Sequence, residues 1–244
     1  MTGDIRLLCF PYAGGNAQAY ARWRKLFPGS VEVCPVQSPG RGERVREKPL
    51  ARQADLLDDL FSRIDRLPAK PTALFGHSLG ALLAFECARR LGERREVRPV
   101  RLFVSGHRAP HLPMREDALC QLPDTDFLAR LAARSSNLEA FGDPAFRALL
   151  LPALRADYTV SETYRFIPGK PLDCPVTVFG GRADPEVERA ELEAWERHTT
   201  GPFETRMFDG DHFFVDSDWR SVATAVTTVL TVDLAHYVGE NNGY

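Results

Sequence analysis

Gly76-His77-Ser78-Leu79-Gly80 stands between a short apolar run, Thr72-Ala73-Leu74-Phe75, and a helical run, Ala81-Leu82-Leu83-Ala84-Phe85-Glu86-Cys87-Ala88. A strand that turns into a helix within five residues leaves no room for Cβ atoms on either side of the central residue. Glycine at both ends removes that obstacle, and the serine between them is forced into a strained backbone with its hydroxyl pushed outward. The same five residues also occur in ordinary turns. Here the strand before and the helix after point to a nucleophile elbow on a parallel sheet.

The rest of the chain alternates in the same way. Ile5 to Phe10 reads as a strand, Tyr20 to Phe27 as an amphipathic stretch and Val31 to Val36 as a second strand, which is a βαβ unit. After the turn-rich Ser38-Pro39-Gly40-Arg41-Gly42, a helix is expected from about Leu50 to Leu67, with Leu56, Leu57, Leu60, Phe61 and Ile64 at helical spacing. Val100 to Gly106 supplies another strand. From 108 to 166 no strand pattern appears, and Pro110, Pro113, Pro123, Pro144 and Pro152 punctuate short helical pieces. Strands then resume at Pro175 to Gly180 and Phe203 to Phe208, with helices near Pro185 to His198 and Asp216 to Leu230. The expected fold class is α/β, a mostly parallel, doubly wound sheet with an inserted helical lid. The core is expected over 1–107 and 167–235, the lid over 108–166 and a mobile tail over 236–244.

Composition narrows the field. A chain of 244 residues that is 44% hydrophobic can bury one substantial core. Its formal net charge of −2, with acids and bases intermixed, gives neither a basic stripe for nucleic acid nor a polybasic segment for anionic lipid. No spanning helix or signal peptide is evident, so a cytoplasmic location is expected. The odd set Cys9, Cys34, Cys87, Cys120 and Cys174 is widely spaced and reads as small hydrophobes of a reducing compartment rather than a disulfide framework.

A serine hydroxyl near neutral pH needs an imidazole to take its proton and a carboxylate to hold that imidazole. Among six histidines, only His212 lies in a loop directly after a late strand, flanked by Gly210 and by Phe213-Phe214. Such loops face the site of an open α/β sheet. Asp184 follows the Val176 to Gly180 strand through Gly181-Arg182-Ala183, so the order Ser78, Asp184, His212 is that of α/β-hydrolases. An Asx turn before Pro185 is the alternative for Asp184, and Asp209 and Asp211 read as loop acids. Oxyanion donors are expected from the backbone N–H of Leu79 and from the loop after the first strand, Phe10-Pro11-Tyr12-Ala13-Gly14-Gly15. There Ala13 is the choice and Tyr12 its neighbour alternative.

Taken together, these segments resemble the discrete type II thioesterases that accompany polyketide synthases and nonribosomal peptide synthetases. The likeness covers nearly the whole chain. It rests on the Phe10 to Gly15 loop, Pro39-Gly40-Arg41-Gly42-Glu43-Arg44, the elbow, Leu154-Arg155-Ala156-Asp157-Tyr158 with Tyr164, Gly180 to Pro185, and Gly210-Asp211-His212-Phe213-Phe214. Leu79 departs from the methionine common in that family, without consequence for a backbone donor. The resemblance implies hydrolysis of acyl thioesters on the phosphopantetheine arms of acyl- or peptidyl-carrier proteins, which removes stalled or misprimed groups. No metal or organic cofactor is expected, and a monomer is expected. Leu112, Leu128, Leu131, Phe141, Phe146 and Leu150 are candidates to line the acyl pocket. For Arg41 and Arg44 a salt-bridged loop is the commoner explanation, with a phosphate or an acidic carrier surface as the alternative. The same machinery also suits a carboxylesterase or lipase acting on oxygen esters, and a non-catalytic binding protein on a hydrolase scaffold is the reading from outside enzymology.

Overall fold

The computed structural model describes residues 4–94, 99–113, 118–132 and 143–241, without the side chains of Phe146 and of 235–241. Among the described residues six strands are present: β1 Ile5–Phe10, β2 Val31–Pro35, β3 Thr72–His77, β4 Pro99–Ser105, β5 Val176–Gly181 and β6 Phe203–Phe208. All neighbours pair in parallel, in the order β2-β1-β3-β4-β5-β6. The chain runs outward from β1 to β2 and then crosses back to β3. The loops leaving β1 and β3 therefore part at a topological switch, where open α/β sheets form their crevice.

Strand side chains alternate between two buried faces. Leu8, Phe10, Leu74, Leu102, Val104, Val176 and Val178 pack with Leu56, Leu57, Leu60 and Phe61 of α1 (Gln53–Ile64), with α2 (Leu79–Gly92) and with Trp195. Ile5, Leu7, Cys9, Phe75, Phe103 and Phe179 face Tyr20 and Trp23 of the 3-10 helix Ala17–Lys25, Phe214 of α6 (Phe214–Ser217), and Val222, Val226 and Leu230 of α7 (Trp219–Asn241). Each large apolar side chain fully buried in this way contributes about 1.5–3 kcal/mol. All five cysteines are free thiols, three of them buried.

Between β3 and α2 the backbone makes its tightest turn. Ser78 has φ +53° and ψ −122°, and among the described residues it is the one non-glycine with positive φ. A Cβ on Gly76 would lie 2.0 Å from the Gly80 carbonyl oxygen, and one on Gly80 would lie 2.2 Å from that of Phe10. The end of β1, the end of β3 and the first turn of α2 thus meet backbone to backbone. Ser78 N–H donates to the Ser105 carbonyl at 2.8 Å, which ties the elbow to the end of β4.

A helical insertion separates β4 from β5. It comprises a 3-10 turn Leu119–Gln121, α3 (Asp124–Ala132) and α4 (Pro144–Thr163), with its own small core of Leu119, Phe127, Leu131, Leu151 and Leu154. Side chains from the sheet domain and the insertion fasten it. The Tyr164 hydroxyl donates to Glu86 of α2 at 2.7 Å, and Asp157 of α4 forms a buried two-pronged pair with Arg41, Nη2 reaching Oδ1 at 2.7 Å. Asp157 Oδ2 also accepts the Gly14 N–H at 2.7 Å.

Three local expectations differ from what forms. The short helical piece expected from Ala145 to Leu154, with Pro152 inside it, runs on as α4 to Thr163. The loss of one backbone hydrogen bond is offset there by burial of Leu151, Ala153 and Leu154 on one side of the helix. The region after Pro185 divides into α5 (Arg189–Glu193) and a 3-10 helix Ala194–His198. The expected tail from 236 continues α7 as helix to Asn241, since extending an established helix costs little compared with starting one. Residues 242–244 lie outside the described residues.

Asp157→Ala would leave Arg41 buried without its carboxylate, a loss of about 3–5 kcal/mol. The change is expected as a lowered urea midpoint, and an unaltered midpoint would show that the insertion is held by other contacts.

Candidate active site

Asp184 and His212 come from consecutive strand ends that are zipped together. The N–H of Arg182 donates to Phe208 O at 2.8 Å and that of Ala183 to Gly210 O at 2.9 Å. Gly181 permits this approach, because a Cβ there would sit 2.5 Å from the Asp211 carbonyl oxygen. The result is a 2.8 Å hydrogen bond between His212 Nδ1 and Asp184 Oδ2, with side chains only 7% and 1% exposed. Asp184 Oδ1 meanwhile accepts the N–H of Glu186 at 2.8 Å. The Asx turn and the carboxylate–imidazole pair, alternatives in the sequence, coexist on the two oxygens of one side chain. Donation from Nδ1–H to a carboxylate leaves Nε2 of the neutral ring as an acceptor.

Burial works against a charged His212. The hydrogen bond donated to Asp184 and the negative charges of Glu186, Asp184 and Asp211 outweigh it, and the imidazole titrates above its ordinary value. The reverse holds for His77, which is fully buried, shares a 2.8 Å hydrogen bond between Nδ1 and Ser105 Oγ, and is pushed well below the usual range chiefly by burial. His107 is lowered to about 4, again mainly by burial. Only His212, among these three, is held as a base that charges readily.

Ser78, Leu79, Ala13 and His212 all line one cleft of about 530 Å³ at the carboxyl ends of the strands. Among the described residues no hydrogen bond joins the Ser78 hydroxyl to His212; the two side chains share the cavity wall. Tyr12 turns away from it, its hydroxyl donating to Asp216 and its carbonyl accepting Gly15 N–H at 2.9 Å. Asp211 accepts the Phe213 N–H at 2.8 Å and Asp209 pairs with Arg182 at 3.1 Å, both behaving as loop acids.

Of the apolar candidates for the pocket, Leu112 lines the cleft. Leu128 and Leu131 instead pack inside the insertion, because a short helix with one apolar stripe buries that stripe against its neighbour α4. Leu150 is half-buried away from the cleft, Phe141 lies outside the described residues, and so does the side chain of Phe146. Arg41 and Arg44 follow the salt-bridged reading favoured for them. Arg41 is spent on Asp157 and on the Gly15 and Ala153 carbonyls, and Arg44 on Asp59 and Glu47, so neither guanidinium is offered to a phosphate. Lining residues that were not named as pocket candidates include His107 and Arg108 after β4, Glu186 after Asp184, and Tyr158, Ser161 and Glu162 on α4. The last three had a signal, since spacing of three and four places them on one helix face.

The six-stranded sheet and its cleft are those of the α/β-hydrolase thioesterases. The structure of ClbQ from the colibactin NRPS/PKS pathway superposes with a TM-score of 0.90 at 32% identity, covering 96% of this chain and 99% of ClbQ. That of the type II thioesterase BorB from the borrelidin biosynthetic cluster gives 0.81 at 35% identity, over 92% and 90% of the two chains. In sequence, the chain is 41% identical over 212 residues to the gramicidin S biosynthesis protein GrsT of Aneurinibacillus migulanus, spanning 86% of this chain and 83% of that one. The family profile described as "Thioesterase domain" matches residues 5–229, and the chain belongs to that family.

Asp184→Asn removes the strongest influence that raises the His212 pKa, so the imidazole is expected to titrate lower in the variant. NMR titration of the ring protons should place wild-type His212 above about 6.5, the ordinary histidine value. An unchanged or raised midpoint in the variant would contradict the assigned pairing.

Proposed function

We propose that Ser78, His212 and Asp184 form the catalytic triad of a serine thioesterase that removes acyl groups from the phosphopantetheine arms of carrier proteins in polyketide or nonribosomal peptide synthesis. The observation that carries the reading is the Asp184–His212 couple opening on the same cleft as the strained elbow serine, in a chain of the thioesterase family. ClbQ, from an NRPS/PKS pathway, and the type II thioesterase BorB, from a biosynthetic cluster, support the setting.

In the reaction, His212 Nε2 takes the proton of Ser78 Oγ as the oxygen attacks the thioester carbonyl. The N–H groups of Leu79 and Ala13 hold the developing oxyanion, and losing either donor costs on the order of 10²–10³ in turnover. Collapse breaks the C–S bond, and the imidazolium protonates the departing thiolate. Water, deprotonated by the same nitrogen, then attacks the acyl-serine and releases the carboxylic acid. The hydrogen bond to Asp184 fixes the tautomer and stabilises the imidazolium in both halves. The cleft runs beneath α4, where Tyr158 and Tyr164 line it, and this is the place for the acyl chain.

Intact-mass analysis of acyl-loaded carrier proteins is expected to show deacylation by the wild type and a drop of roughly 10⁴–10⁶-fold with Ser78→Ala. Retained turnover in Ser78→Ala would refute the nucleophile. Faster cleavage of matched oxygen esters than of thioesters would favour an esterase instead.

A further inference from the structure

Glu186 stands beside the reacting atoms without a role in the scheme above. It lines the cleft with Ser78 and His212, and its Oε2 lies 3.9 Å from His212 Nε2. That separation is too long for a hydrogen bond, so the carboxylate acts there through its charge. Its backbone is fixed by the bond from its N–H to Asp184 Oδ1, directly after Pro185, and its side chain is 35% exposed. A thioester in position for attack places its carbonyl within hydrogen-bond reach of the serine–imidazole pair. Substituents on the next carbon then fall within a few ångströms of Glu186.

Glu162 accepts the N–H of Leu119 at 2.9 Å and of Cys120 at 2.8 Å. Arg108 faces Glu191 with Nη2 3.5 Å away, while its buried Nε and Nη1 have no hydrogen-bond partner among the described residues; this cation is common to the wild type and to variants at Glu186, so it cancels when they are compared. Among the described residues the Glu186 carboxylate accepts no hydrogen bond, which leaves its oxygens available to a ligand. We propose that Glu186 sorts acyl groups by charge, favouring thioesters that carry a protonated amine next to the carbonyl over those that carry a second carboxylate. The inference rests on the triad reading, since it assumes that the acyl carbonyl sits between Ser78 and His212.

Three pantetheine thioesters of similar acyl size test it with the full chain: alanyl (cationic), propionyl (neutral) and malonyl (anionic). Values of kcat/KM are referred to propionyl within each protein, so any uniform effect of a substitution cancels. Glu186→Gln is expected to lower the alanyl ratio and raise the malonyl ratio, each by about three- to tenfold, as for charges a few ångströms apart in a half-solvated site. Glu186→Lys should move both ratios further in the same direction. Ratios that stay put in both variants would overturn the proposal. Labelling of Ser78 by a neutral fluorophosphonate separates the two readings: labelled variants with unaltered ratios reject the role of Glu186 alone, whereas an unlabelled wild type rejects the nucleophile and this inference with it.

Discussion

The site depends on backbone contact at the elbow. Gly76 and Gly80 let the end of β3 and the first turn of α2 close on each other and on the Phe10 carbonyl. Side chains on either glycine would push these segments apart by more than van der Waals tolerance. The positive φ of Ser78 follows from that closure and is kept there by packing, with α2 buried along nearly its whole length. Because β1 ends at the same point, the serine and the loop that follows β1 have a fixed relation. Their joint position depends on main-chain packing, which is stiffer than any arrangement of side chains.

Around this rigid centre, charge is arranged unevenly. The three histidines near the elbow share a buried environment that disfavours their charged forms, yet only His212 has a carboxylate in direct contact. Asp184 serves two purposes at once: one oxygen shapes the turn that carries Glu186, and the other orients the ring. The turn and the base are thereby built from a single side chain, so the position of Glu186 relative to Nε2 is set by the same residue that sets the ring.

Much of the sheet was readable in the sequence, because strands buried on both faces appear as short, mostly apolar runs such as Ile5 to Phe10 and Val176 to Phe179. The ordering of Ser78, Asp184 and His212 was readable too, since each follows a strand directly. What escaped were matters settled by partners distant in sequence. Nothing local to Arg41 announces that Asp157, more than a hundred residues later, takes up its charge. The helix expected to end at Leu154 runs on to Thr163, and tertiary burial carries it past the proline at 152. The stripe of Leu128 and Leu131 has the same periodicity whether it lines a pocket or a small core, and only the presence of Leu151 and Leu154 across from it decides.

Asp157 joins three parts of the molecule that are remote in the chain: the helix over the cleft, the arginine of the loop after β2, and the Gly14 amide next to Ala13. Leu154, one turn earlier on the same helix, rests against Gly14, where a Cβ would lie 2.8 Å from its methyl carbon. Lifting α4 off the sheet would therefore strip the neighbouring loop of its support in the same motion. Cover and loop form one interlock, so the backbone amides beside Gly14 take their place from a helix more than a hundred residues further along the chain.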